Sequence, residues 1–212
     1  MQALLQTLQT QTGSFTCRLA GDPPEEKTVA FRHLVLPPVQ AELPPMGRLP
    51  EFYAACGGLV LFDVPSSEEA ARRLLPPPAW PELDAECAGW FEGLSAQEWQ
   101  EYVPGPLLRR DAQGRFELDA LVIGDTPHAG NYVLMAASGE QAGQVYEFDH
   151  DGFEFRWVAP DIVAYVRHCL AVDGPRLLDY ASHLCFVEGG DGSRQWFIRQ
   201  MRVTGGDVIE LE

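Results

Sequence analysis

The sequence predicts an α+β protein: a central antiparallel meander flanked by helices, with an N-terminal hairpin and a C-terminal helix and strand as extensions. Three observations carry this expectation. Runs rich in Val, Ile, Tyr, Phe and Trp recur between residues 116 and 158, punctuated by Gly124-Asp125, Gly130-Asn131, Gly139, Gly143 and Asp151-Gly152, the turn residues of an antiparallel meander. One pair of these runs has a defined register. Helix starts are marked around this region by Pro50, Ser66, Ser95 and Pro160-Asp161.

Taken in order, Leu4, Leu5 and Leu8 form one face of a short helix that Gly13 stops. Strand-like runs follow at residues 14–19 and 28–36, joined as a hairpin by Gly21-Asp22-Pro23-Pro24. Five prolines between Pro37 and Pro50 exclude long regular structure and predict an extended connector laid over the surface. Pro50 and Glu51 then open a helix, Gly57-Gly58 end it, and Leu59-Val60-Leu61-Phe62 form a buried strand. Ser66-Ser67-Glu68-Glu69 fits a capping box and predicts a helix to about Leu75, terminated by Pro76, Pro77 and Pro78.

Residues 80–91 read as a loosely amphipathic helix, and Ser95-Ala96-Gln97-Glu98 is a second capping box opening a helix through Tyr102. Trp90, Phe91, Trp99 and Tyr102 are the expected apolar face of that pair. After a turn-rich stretch at 104–114, strands are predicted at 116–123, 131–136, 144–148 and 153–158. Pro160-Asp161 starts a helix with Ile162, Val166, Cys169 and Leu170 at helical spacing, and Gly174-Pro175 interrupts it. A last helix is marked by Leu177, Leu178, Ala181, Leu184 and Cys185. A final strand spans 194–203, where Trp196 and Ile198 alternate with Phe197, Arg199 and Met201. The expected organisation is an N-terminal extension at 1–47 packed on a main domain at 48–172, followed by a C-terminal extension at 173–212.

The defined register belongs to the hairpin at 145–158. A two-residue Asp151-Gly152 turn, with both residues at positive φ, pairs His150 with Phe153, Phe148 with Phe155 and Tyr146 with Trp157 on one buried aromatic face. The other face pairs Asp149 with Glu154, Glu147 with Arg156 and Val145 with Val158, and is expected to be mostly charged and wet.

Net charge is -16, and the imbalance is concentrated: residues 76–108 hold six acids and no Lys or Arg, and residues 117–161 set nine acids against Arg156. Such a field repels nucleic acid and anionic membranes and attracts a basic partner. No apolar run is long enough for a membrane helix, and MQALLQTLQTQTG lacks the basic start and apolar core of a secretory signal, so a cytoplasmic protein is expected. Cys17, Cys56, Cys87, Cys169 and Cys185 are odd in number and widely spaced, which indicates reduced core residues rather than a disulfide framework or zinc site.

Asp149-His150-Asp151-Gly152 has residue types suited to acid/base work or metal binding, but the hairpin explains each of them, and strand alternation sends Asp149 and His150 to opposite faces. No catalytic group, metal or cofactor is therefore assigned. The loop from Gly124 to Asn131 offers Asp125 and His128 at a strand connection, where a partner contact is expected. Gly189-Gly190-Asp191-Gly192-Ser193 lacks the lysine and the strand-to-helix context of a phosphate loop. The candidate binding surface comprises Glu82, Asp84, Glu86, Glu98, Trp99 and Glu101 from the helices, Asp125 and His128, and Glu147, Asp149 and Glu154 from the hairpin, with Trp80 or Trp99 as anchors.

Leu49-Pro50-Glu51-Phe52-Tyr53 followed by Gly57-Gly58-Leu59-Val60-Leu61-Phe62, then Ile123-Gly124-Asp125, Gly143-Gln144-Val145-Tyr146, His150-Asp151-Gly152 and Ala159-Pro160-Asp161-Ile162, resemble the SMI1/KNR4 family of the SUKH superfamily. The resemblance covers about residues 48–172. It implies an α+β domain with a central antiparallel sheet, and a role as a cytoplasmic immunity protein that binds and neutralises a toxin, often a nuclease. The expected function is non-enzymatic binding of a basic toxin domain. The alternative is an intracellular regulatory or scaffold module whose partner is a housekeeping protein.

Overall fold

The computed structural model describes residues 1–19, 23–65, 72–126, 130–171, 185–188 and 194–210. Helix α1 (Gln2–Thr10) buries Leu4 and Leu8. Strands β1 (Gly13–Leu19) and β2 (Glu25–Leu36) pair antiparallel, from Gly13 opposite Phe31 to Leu19 opposite Glu25, as the N-terminal hairpin requires. Strand β2 is longer than expected because it has two partners. Residues 25–31 pair with β1, and Arg32 to Leu36 pair with β3 (Gly58–Asp63).

The proline connector leads into α2 (Leu49–Ala55), where Pro50 occupies the first turn and Phe52 and Tyr53 are buried. Two glycines hold the connector against the sheet. Gly47 and Gly143 sit at φ 49° and 90° with their backbones in contact, so close that a Cβ on Gly143 would lie 2.3 Å from the Gly47 nitrogen. The Gly47 carbonyl then accepts from Ile162 N–H at 3.2 Å, which fixes the start of α5 (Ile162–Leu170). That helix starts where Pro160-Asp161 marks it, with Asp161 as its cap, the carboxylate accepting from Ala164 N–H at 2.8 Å.

The helix expected to reach Leu75 is corrected. Arg72–Leu74 form a strand, β4, with Leu74 opposite Leu59 on β3, while the capping-box residues 66–69 lie outside the described residues. Pairing to two strands and burial of Leu74 outweigh a local helix signal worth a fraction of a kcal/mol per residue. Helices α3 (Trp80–Ala88) and α4 (Ala96–Tyr102) follow, α3 running into a short 3-10 turn at Gly89–Phe91.

The turn-rich stretch contains β5 (Leu108–Arg110), which forms a separate hairpin with β6 (Phe116–Leu118). The run predicted at 116–123 is broken at Asp119. Its N–H donates to Leu107 O and its carbonyl accepts from Ala137 N–H, turning the chain from that hairpin into β7 (Ala120–Thr126). Strands β8 (Asn131–Ala136), β9 (Val145–Asp149) and β10 (Glu154–Ala159) complete the meander.

Strands β11 (Cys185–Glu188), β12 (Arg194–Val203) and β13 (Val208–Glu210) bring the main sheet to eleven strands, in the order β10-β9-β8-β7-β4-β3-β2-β1-β12-β11 with β13 on β12. All its pairings are antiparallel. The register of β12 against β1 shifts at Thr16/Cys17, and this irregularity buries Met201 beside Trp196 and Ile198, where simple alternation would have grouped it with exposed Phe197. The predicted last helix falls on residues outside the described ones, except that Cys185 begins β11; the glycine-rich run at 189–193 is also outside them.

Both faces of the meander are covered. One packs Val133, Met135 and Val145 against α2 and α5; the other packs Tyr132, Leu134, Tyr146 and Phe148 against α3 and the segment leading to α4. All six residues of β8 are buried. A strand covered on both sides has no wet face, which decides the fate of the charged residues on its neighbour β9. Among the described residues no helix is long and apolar enough to cross a membrane.

Candidate functional site

Four of the expected hairpin pairs are present: Asp149 with Glu154, Phe148 with Phe155, Glu147 with Arg156, and Tyr146 with Trp157. Val145 pairs with Ala159 instead of Val158, across a register shift after Trp157. The turn differs as well. It spans residues 150–153, closed by Phe153 N–H donating to His150 O at 3.3 Å, and the positive φ falls on Phe153 (50°) rather than on Asp151 or Gly152. A left-handed non-glycine residue costs about 1–2 kcal/mol. Packing offsets it: the Phe153 ring meets Phe148 at 5.2 Å, Tyr102 at 5.5 Å and Phe91 at 5.6 Å.

Because His150 and Asp151 belong to the turn, strand alternation does not separate them from Asp149, contrary to the expectation. The ligating atoms of Asp149, His150 and Asp151 lie within 4.8 Å of one another. The turn itself uses them. Asn131 Oδ1 accepts from His150 N–H at 3.1 Å and lies 2.9 Å from His150 Nδ1. His150 Nε2 lies 3.1 Å from Asp151 Oδ1, and Asp149 Oδ1 accepts from Asp151 N–H at 3.1 Å.

Around this turn the aromatic residues divide into a buried floor and an exposed set. Phe91 is buried, and Trp99 is half-buried and stacked on it with ring centroids 5.4 Å apart. Trp90 and Tyr102, expected on the apolar face, are instead 41% and 42% exposed; Trp90 tilts over His150 at 4.4 Å and Tyr102 meets Phe153. Trp157 lies on the same side of the hairpin as Tyr146 and Phe155 yet is 53% exposed, because the cover supplied by Phe91 reaches Phe148, Phe153 and Phe155 but not Trp157. Trp80 is not an anchor: its indole N–H donates to Leu75 O at 2.9 Å and its ring packs on buried Tyr53.

Of the candidate acids, Glu82, Asp84 and Glu86 are exposed on α3, Glu101 on α4, and Asp149 and Glu154 beside the turn. Asp84 is partly enclosed, and burial pushes its carboxyl above the usual range. Glu98 serves the α4 cap, accepting from Ser95 N–H at 2.7 Å while Ser95 Oγ accepts from Glu98 N–H at 3.3 Å; these bonds hold its carboxyl below the ordinary value. Asp125 is held by Arg73, with Nε donating to Oδ1 at 2.7 Å and a second contact from Nη2 to Oδ2. His128 lies outside the described residues.

Glu147 is the main correction to the expected surface. It does leave the aromatic face, but the opposite face is covered by α5, so its carboxylate ends in a largely buried charge cluster. Its Oε1 accepts from Arg72 Nε at 2.7 Å and from the Tyr165 hydroxyl at 2.8 Å, and its Oε2 accepts from Arg156 Nη2 at 2.5 Å. Burial alone would push this carboxyl up; the charge and hydrogen bond of Arg72, joined by Arg156, outweigh it and bring it to about 2. The same burial raises the Tyr165 hydroxyl well above the tyrosine range. A signal for this cluster was present in the sequence: Tyr165 sits among the apolar positions of α5, and a buried hydroxyl needs a partner.

Buried Cys17, Cys56 and Cys87 are pushed up to about 12, 11 and 12 by desolvation, so their thiols are inert at neutral pH. What the described site offers is therefore a surface: Trp90 and Tyr102 exposed at an acidic turn over a buried aromatic floor, with Trp157 exposed further along β10. No family model matches this chain, and neither a curated protein nor a solved structure does.

Proposed function

We propose that the protein works by binding another protein, a basic domain, through the acidic β9–β10 turn and the exposed aromatic rings beside it. The observation that carries this reading is the placement of Trp90 and Tyr102 on the turn that bears Asp149, Asp151 and Glu154, with Trp157 further along the same strand and all three rings more than two-fifths exposed. Large aromatic side chains of this kind are the commonest energetic anchors of interfaces, and surrounding acids speed encounter with a basic partner. The resemblance to the SMI1/KNR4 family supports the more specific form of the proposal, a cytoplasmic immunity protein occluding a toxin domain, possession of a nuclease activity being one form that toxin takes.

The test is capture from the native cell with the tagged chain, followed by affinity measurement against what co-purifies. The proposal expects a basic protein whose binding weakens as salt rises and falls at least about tenfold on Trp157→Ala. A captured partner indifferent to both salt and Trp157→Ala contradicts it.

A further inference from the structure

A second feature of the same end of the molecule has the chemistry of a receptor pocket. Between α3, α4 and the β5–β6 hairpin lies a cavity of about 300 Å³. Phe91, Trp99 and Phe116 give it an aromatic lining, and Asp84, Glu92 and Glu117 give it carboxylates. Its size is at the low end for ligand sites, suited to one side chain rather than a large cofactor.

The aromatic lining is well supported. Phe91 and Trp99 are stacked within 26° of parallel, and Phe148 backs Phe91 at 5.2 Å. Phe116 already engages a cation, with the Arg110 guanidinium carbon 3.8 Å from its ring centroid. The carboxylates are unequally satisfied. Glu117 is paired with Arg109 at 2.7 Å, whereas Asp84 and Glu92 have no ion-pair partner among the described residues. Burial raises the Asp84 carboxyl, the direction expected of an acid held without a nearby cation. An anion entering here meets like charge, and a neutral group leaves two carboxylates unmatched.

We propose that this pocket receives one arginine side chain of the bound partner, its guanidinium packed against the Trp99 ring, which Phe91 backs, and paired with Asp84 and Glu92. Arginine fits better than lysine because a planar, weakly hydrated cation stacks on aromatic faces while offering a fork of donors to carboxylates. The inference rests on the protein-binding reading above and adds a specificity element to it. Phe91 joins the two, since it lines the pocket and also touches Phe153 in the turn.

The experiment uses the full chain and three probes, the N-acetyl amides of arginine, lysine and citrulline, the last being arginine's uncharged isostere. Tryptophan indole N–H signals are followed by NMR, the Trp99 signal being assigned by its loss in Trp99→Phe. The expected result is a saturable shift of the Trp99 signal with the arginine probe, at least about fivefold weaker binding of the citrulline probe, and loss of the response in Asp84→Asn/Glu92→Gln. No Trp99 shift, an equal response to citrulline, or an equal response to lysine overturns the assignment. Indole signals elsewhere that are unchanged in the double variant show that it is folded. With the captured partner, binding lost in Trp157→Ala but kept in Asp84→Asn/Glu92→Gln sinks the pocket and leaves the binding face standing.

Discussion

The hydroxyl of Tyr165 on α5 donates to the carboxylate of Glu147 on β9 at 2.8 Å, and this bond joins the helix to the sheet at a point where the same carboxylate already holds Arg72 and Arg156. A residue that belongs by its charge to a surface is here an internal tie. Its consequences for stability can be measured without knowing any partner.

Removing the carboxylate leaves Arg72, which is 3% exposed, charged inside the protein. Glu147→Ala is expected to cost about 3–5 kcal/mol in urea unfolding, with the midpoint falling and the slope unchanged. The double variant Arg72→Met/Glu147→Met is expected to be less destabilised than Glu147→Ala, since the buried guanidinium is removed together with the carboxylate that compensates it. A cost below about 1 kcal/mol for Glu147→Ala would place that residue on the surface after all.

Two buried groups set the response to acid. His33, in β2, accepts from Phe62 N–H through Nδ1 at 3.0 Å, and burial lowers it from 6.5 to about 4. Its folded value lies below its unfolded one, so its contribution is complete above 6.5 and is lost as pH falls towards 4. Glu147, lowered from 4.5 to about 2, contributes fully above 4.5 and loses its contribution as pH falls towards 2. Each amounts to on the order of 3 kcal/mol. Unfolding free energy should therefore decline in two stages on acidification, and His33→Gln should flatten the first stage while leaving the second. A curve for the unsubstituted protein that is level across the first window contradicts the His33 assignment.

Gly143→Ala tests the contact that holds the proline connector. The substitution forces a Cβ into the Gly47 backbone at a φ of 90° that side chains rarely adopt. The expected cost is about 2–4 kcal/mol, a fall in Tm of roughly 5–15 °C by calorimetry. Gly139→Ala shares the positive φ, 75°, but its added Cβ meets nothing within 4 Å, so it should cost distinctly less.

Exposure and function separate at Trp157. Trp157→Ala should leave unfolding free energy within about 0.5 kcal/mol of the parent while weakening binding of the proposed partner by about 1.4 kcal/mol or more, the tenfold loss expected above. Ser95→Ala should do the opposite, removing the side chain that caps α4 at a cost of about 0.5–2 kcal/mol with little effect on binding. Equal losses of stability from both substitutions would show that Trp157 is a packing residue.

The sequence carried the local chemistry well and the layering poorly. Register between β9 and β10 from Glu154 to Trp157, the Ser95 capping box and the helix start at Pro160-Asp161 all depend on neighbours within a few residues, and all were readable. Strand β4 was not, because Ser66-Ser67-Glu68-Glu69 favours a helix locally and the pairing of Leu74 with Leu59 is settled only by the sheet. Glu147 shows the same limit. Alternation correctly placed it opposite Tyr146 and Phe148, but whether that side is water or a helix depends on α5 and on Arg72, 75 positions away. Trp157 fails in the other sense: its pattern is that of a core residue, and it lies beyond the reach of the segment that covers Phe148 and Phe155.

The pairing of β1 with β12 has a kinetic consequence. The outer edge of β1 waits for β12, and the Thr12 and Thr204 hydroxyls that meet beside that pairing at 3.1 Å are 192 positions apart. At ordinary synthesis rates of about 5–20 residues per second, the N-terminal hairpin emerges on the order of ten seconds or more before its second neighbour exists. During that interval Phe15 and Cys17 lack Trp196, Ile198 and Met201 against them, and an unpaired strand edge faces solvent or whatever holds the nascent chain. The vulnerable stage in the life of this protein is thus its own synthesis, when one half of its sheet is ready and the strand that closes it has not yet been made.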